Sequence, residues 1–126
     1  MKICALALSA ALGASGAAWA QCADVPPIRF AETVGDTTID ADWMNSMLVG
    51  RTVNYEDSSE EYRRDGTYVF RAGRSVSHAP EYRFYADGTR CIGYDGAPRY
   101  DRYVLSGDVL TLINAQGTRF PAWVSN

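Results

Sequence analysis

The sequence predicts an all-β domain. We expect an antiparallel meander of about seven or eight strands, curled into a small barrel or folded as a sandwich, with one short N-terminal helix and one disulfide. Three observations point there. From Arg51 onward apolar and polar residues alternate with a period of two, the spacing of a half-buried strand. Turn signals recur between those runs, among them Asp65-Gly66, Asp87-Gly88, Asp95-Gly96, Gly107-Asp108 and Gln116-Gly117, and Asp-Gly suits a tight turn that needs positive φ. Two cysteines, Cys22 and Cys91, remain once an export signal is set aside.

That signal occupies residues 1–20, MKICALALSAALGASGAAWA. Lys2 is a positive start, an apolar run follows, and Ala18-Trp19-Ala20 supplies the small residues that a signal peptidase reads. Cleavage is expected after Ala20, with the product periplasmic or secreted. Gln21 stands where a lipid-attaching enzyme needs a small residue before cysteine, so Cys22 is not read as a lipid anchor. No later apolar run is long enough for a stable membrane span.

Past residue 20, 106 of the 126 residues remain, enough for a single domain. Losing Lys2 takes the formal net charge from −3 to −4 and leaves a chain without lysine. Schiff-base chemistry and a phosphate-loop lysine are thereby excluded. Arginines and acids interleave along the chain and form no basic stripe, which argues against a nucleic-acid partner.

Residues 21–39 carry Pro26-Pro27 and no helical period, so they read as an extended arm ahead of a β-domain over 40–126. Asp40 is a suitable N-cap, Asp42 complements the helix dipole and Gly50 is a stop, which predicts a helix over about 41–48. Trp43 pairs with Met47, and Met44 with Leu48, at four-residue spacing. The runs RTVNYE, EYRR, TYVFRA, EYRFY, TRCIGY, YDRYVL, VLTLI and TRFPAWV are the predicted strands. Alternation turns Tyr68 with Phe70, Tyr82 with Phe84, Ile92 with Tyr94 and Leu110 with Leu112 inward. It leaves Thr67, Arg71, Glu81, Arg83, Thr89 and Asp101 on a wet face.

Cys22 and Cys91 are most economically a disulfide in an exported domain. Closing that loop would stabilise the fold by about 4.4 kcal/mol in the chain-entropy model. A thiolate nucleophile based on His78 would have to stay reduced among oxidants. One histidine and two distant cysteines do not make a zinc site. The acidic run Glu56–Glu61 lacks the spacing and central glycine of a calcium loop and reads as a solvated hairpin loop. GRSVSHAP, residues 73–80, reads as a flexible loop with no triad around His78. No catalytic residue, metal ligand or cofactor is predicted.

The positive signal is tyrosine interleaved with arginine, the pairing that dominates binding hot spots. Tyr68, Tyr82, Arg83, Tyr85 and Arg90, with Trp43 on the helix, are the candidate ligand or partner contacts. The run LVGRTVNYE, followed by YRRDGTY, FYADGTRC, YVLSGDVLTL and QGTRF, resembles small periplasmic proteins of Gram-negative bacteria. They combine a signal peptide, a short helix and "Y-x-x-DGT" hairpins. The resemblance spans roughly residues 41–122 and implies a lipocalin-like antiparallel β-domain of unknown function. Gly50-Arg51-Thr52 stands where lipocalins carry Gly-x-Trp, so no inherited ligand cavity is implied. The expectation is an exported, non-enzymatic binding or accessory module for an unknown small ligand or envelope protein. The alternatives are a protein inhibitor or envelope-stress factor acting through loop 56–61 or 72–80, and a small hydrolase.

Overall fold

Asp40 and Gly50 bracket the helix α1, Ala41–Leu48, as their chemistry requires. The Asp40 carboxylate accepts the Trp43 N–H at 2.9 Å, satisfying one of the orphan donors of the first turn. Gly50 sits at φ +82° and donates its N–H to the Tyr62 carbonyl at 2.7 Å. The computed structural model describes residues 21–31 and 33–126; the segment 1–20, expected from the sequence to be an export signal, lies outside the described residues.

Among the described residues eleven strands accompany the helix: β1 (Asp36–Thr38), β2 (Thr52–Asn54), β3 (Ser58–Tyr62), β4 (Tyr68–Ala72), β5 (Ser75–Ala79), β6 (Tyr82–Phe84), β7 (Thr89–Ile92), β8 (Arg99–Ser106), β9 (Val109–Ile113), β10 (Arg119–Pro121) and β11 (Trp123–Ser125). One sheet runs β10-β9-β8-β7-β6, with β1 beside the later half of β8; the other runs β11-β2-β3-β4-β5. Every ladder is antiparallel. Only Ala122 separates β10 from β11, so the last strand leaves one sheet and joins the other at Pro121-Ala122. On the opposite side no ladder joins β5 to β6 among the described residues. Of the two predicted closures, the sandwich is the one adopted.

Met44 and Leu48 are fully buried with Val53, Tyr62, Ile92 and Tyr103, so α1 plugs the core, while its other face leaves Met47 exposed. The inward set is also found. Tyr68, Ile92, Leu110 and Leu112 belong to the core, with Phe70, Tyr82, Phe84 and Tyr94 packed against it.

Several expectations fail for identifiable reasons. The segment read as the loop 73–80 holds β5, whose residues 75–78 are all exposed. An edge strand wet on both sides shows no alternation, and its ladder to β4 holds it. Most of the acidic run is β3, with Glu60 buried and Glu61 turned outward to Arg71 and Arg63. Part of the arm, 36–38, is β1. Thr89 and Asp101 do not lie on a wet face: both are buried. Strand β7 is central, with the interior on one side and the arm on the other, so all four of its residues are covered. Asp101 faces the interior opposite Arg90. The Cys22–Cys91 disulfide is formed, and Cys22, Cys91, Tyr85 and Tyr100 make a small second cluster under the arm.

Candidate functional site

Strands β3, β7 and β8 bring three charges into the space between the sheets. Period-two alternation places Ser58, Glu60 and Tyr62 of β3 inward, while the register Arg90↔Asp101 sets an arginine opposite an aspartate on β7 and β8. Arg90 Nη1 donates to Glu60 Oε2 at 2.5 Å, and Arg90 Nη2 to Asp101 Oδ2 at 3.0 Å. Arg99, half exposed, closes the row by donating to both oxygens of Asp101 at 2.9 and 3.2 Å. Charge therefore alternates from inside to outside, Glu60, Arg90, Asp101, Arg99, and sums to zero.

Tyrosines cage this row. Glu60 Oε1 accepts from Tyr55 at 2.6 Å, Tyr62 at 2.9 Å and Tyr103; Oε2 accepts from Tyr68 at 2.5 Å. The Tyr55 and Tyr62 oxygens also lie 3.0 and 2.8 Å from that of Tyr103. Each phenol has one proton, so four protons serve these six close oxygen contacts and phenol lone pairs are left over. The rings of Tyr62, Tyr68 and Tyr103 stand 5.5–6.0 Å from the Arg90 guanidinium carbon, within cation–π range.

Protonation follows from these contacts. Burial would by itself raise the Glu60 pKa, but the Arg90 charge and the hydrogen bonds from Arg90, Tyr103 and Tyr55 outweigh it, and the carboxyl is held below its ordinary value. Burial pushes the phenols of Tyr55, Tyr62, Tyr68 and Tyr103 well above theirs. Burial disfavours the Arg90 charge, yet Glu60 and the tyrosines more than restore it. At neutral pH Glu60 is thus ionised and the phenols keep their protons. None of these groups titrates near neutrality, where a general acid or base would be poised.

A cavity of about 130 Å³ opens over the cage. Glu60, Arg90, Tyr55 and Tyr68 give its lining polar groups, and Phe70 and Leu112 give it apolar surface. Ser58, Tyr94, Arg99 and Phe120 complete its lining, and Arg99 and Phe120 are solvent-exposed. A broader trough of about 620 Å³ lies beneath the arm. There Arg102 is committed to the Asp87 carbonyl and to Thr38 Oγ1.

The six candidates from the sequence separate into three places. Arg90 and Tyr68 line the cavity. Tyr82 packs on Tyr62 and Phe84 and donates its hydroxyl to the Arg63 carbonyl, and Trp43 packs half-buried against the core. Arg83 and Tyr85 face outward and clasp the arm, both donating to the Ala23 carbonyl. Glu60, Tyr55, Asp101, Arg99 and Tyr103 were not anticipated. Their signal was present: Arg90 is in phase with the inward Ile92 and Tyr94, and a charge on a core face requires a partner.

The chain matches no protein-family model, no curated protein and no solved structure.

Proposed function

We propose that this protein is an exported, non-enzymatic binding module whose interior takes one small, uncharged ring bearing hydroxyl groups. The observation that carries the reading is the cavity itself, lined by the apolar Phe70 and Leu112 together with the polar Glu60, Arg90, Tyr55 and Tyr68. A volume near 130 Å³ suits about one six-membered ring, since a cavity of about 150 Å³ accepts benzene. It is smaller than the ~300–1,000 Å³ of pockets that hold drug-sized ligands. The charge row already sums to zero, so a charged ligand would bring an uncompensated charge into a buried site. Spare phenol lone pairs accept ligand hydroxyls, and the ring body lies against Phe70 and Leu112. Export is supported by the signal-type N-terminus and the two-cysteine staple, and the periplasm is the compartment we assign.

Titrating the isotope-labelled exported protein with phenol, cyclohexanol, a pyranose and benzoate tests this reading by amide NMR. Shifts should centre on Tyr68, Phe70, Tyr94 and Leu112, be weakest for benzoate, and vanish in Leu112→Trp, which fills the cavity. Shifts that survive Leu112→Trp, or that centre outside the cavity for all four compounds, would sink it.

A further inference from the structure

We propose that Glu81 is the receptor for a new N-terminus, the Gln21 α-ammonium made when the Ala20–Gln21 bond is cut. The Gln21 nitrogen lies 2.6 Å from Glu81 Oε1, and the Cys22 N–H donates to the same oxygen at 3.0 Å. The next residues are held as tightly. Cys22 is bonded to Cys91. The Ala23 N–H donates to the Tyr100 hydroxyl at 2.9 Å, and the Ala23 carbonyl accepts from Tyr85 at 2.5 Å and Arg83 at 3.0 Å. Asp24 pairs with Arg83 at 3.1 Å. The chain is fixed from the first residue after the predicted cut.

Glu81 is placed for this by a neighbour with no side chain. A Cβ on Gly93 would come within 2.4 Å of Glu81 Cγ, and the Gly93 N–H donates to the Glu81 carbonyl at 2.9 Å. The glycine gives the carboxylate arm room to lie across the strand toward Gln21. The charged and titratable groups around residues 21–24 are Glu81, Arg83, Asp24, Tyr85 and Tyr100. Arg83 and Asp24 compensate each other, and among the described residues no side-chain cation pairs with Glu81. The missing cation is the one that cleavage makes. Water adds to the Ala20 carbonyl carbon in a signal peptidase, the C–N bond breaks, and the released Gln21 nitrogen takes up protons to become an ammonium. One amide donor becomes three, with a full charge, and its bond to the carboxylate becomes charge-assisted.

The sequence makes this unusually easy to read out. Lys2 is the only lysine, so after cleavage the α-amine is the only amine in the protein. The full chain is exported from cells as wild type, Glu81→Gln and Gly93→Ala, and the mature proteins are weighed intact and labelled with an amine-acylating reagent across pH. The wild-type mass should begin at Gln21. Its amine should titrate above the ordinary range of about 7.7–8.0 and, at a shift of about one unit, label about tenfold more slowly near neutrality than in Glu81→Gln. Gly93→Ala, which displaces the carboxylate, should behave as Glu81→Gln does. A protonated, bound amine is also a poor nucleophile. Cyclisation, in which it attacks the Gln21 side-chain amide carbon and expels ammonia, should therefore be slower in the wild type. A mass starting elsewhere would overturn the export reading and this proposal together. A start at Gln21 with equal titration, labelling and cyclisation in wild type and Glu81→Gln would remove the role of Glu81 alone.

Discussion

Glu60 and Arg90 meet 2.5 Å apart with 1% and 3% of their side chains exposed, on strands of opposite sheets. The pair therefore crosses the middle of the sandwich and fixes how one sheet sits over the other. Ionic groups so deep are held only by complete compensation, which the four phenols, Asp101 and Arg99 provide.

Breaking that compensation should be severe. Glu60→Gln removes one partner of a buried pair and should lower stability by about 3–5 kcal/mol, measured by urea unfolding. Replacing both partners, as Glu60→Gln with Arg90→Met, should cost less than the sum of the single changes. The same variant reports on acid. The Glu60 pKa is depressed below 4.5 in the fold, so its contribution is fully present above about pH 4.5 and lost as pH falls through the folded value. Urea midpoints followed downward from about pH 6 should fall more steeply for wild type than for Glu60→Gln.

Alkali should act through the phenols. Tyr55, Tyr62, Tyr68 and Tyr103 have folded pKa values raised above 10. Their contribution is thus fully present below about pH 10 and lost as pH rises toward the folded values. Phenolate absorbance should show these four ionising only together with loss of near-ultraviolet circular dichroism, while Tyr85, on the outer face, is pushed up to about 12 by burial.

Cys22→Ser should separate the staple from the cage. It opens a closed loop of sequence separation 69 and should lower stability by about 4.4 kcal/mol at most, measured by urea unfolding. The arm should also loosen, so that trypsin cuts after the exposed Arg29 faster than in wild type. Amide shifts at Tyr68 and Leu112 should stay unchanged.

Local chemistry announced much of this fold. Asp40, Gly50 and the Asp-Gly turns act over a few residues, and the helix and most strands lie where those signals put them. The two cysteines needed only compartment and parity. What escaped depends on partners remote in sequence. Glu60 reads as one acid in an acidic run until β3 is laid on β4 and the β7–β8 ladder brings Arg90 across. Asp101 alternates like a surface residue, and only the cross-strand arginine explains its burial. Strand β5 lacked any pattern because residues 75–78 are exposed on both faces and only Ala79 is buried. Arg90 and Tyr68 were named from composition, and register decides that they, and not Arg83 or Tyr85, reach the cavity.

The crossing at Pro121-Ala122 bears on the order in which the molecule can be assembled. Trp123–Ser125 pairs with Thr52–Asn54, and Arg119–Pro121 with Thr111–Ile113, so each sheet lacks a flank until residues 119–125 have been synthesised. Until then each half is an open sheet, with the Glu60–Arg90 bond between them unsecured. Residues 119–125 thus flank both sheets at once, and the sandwich closes on this side only when they dock.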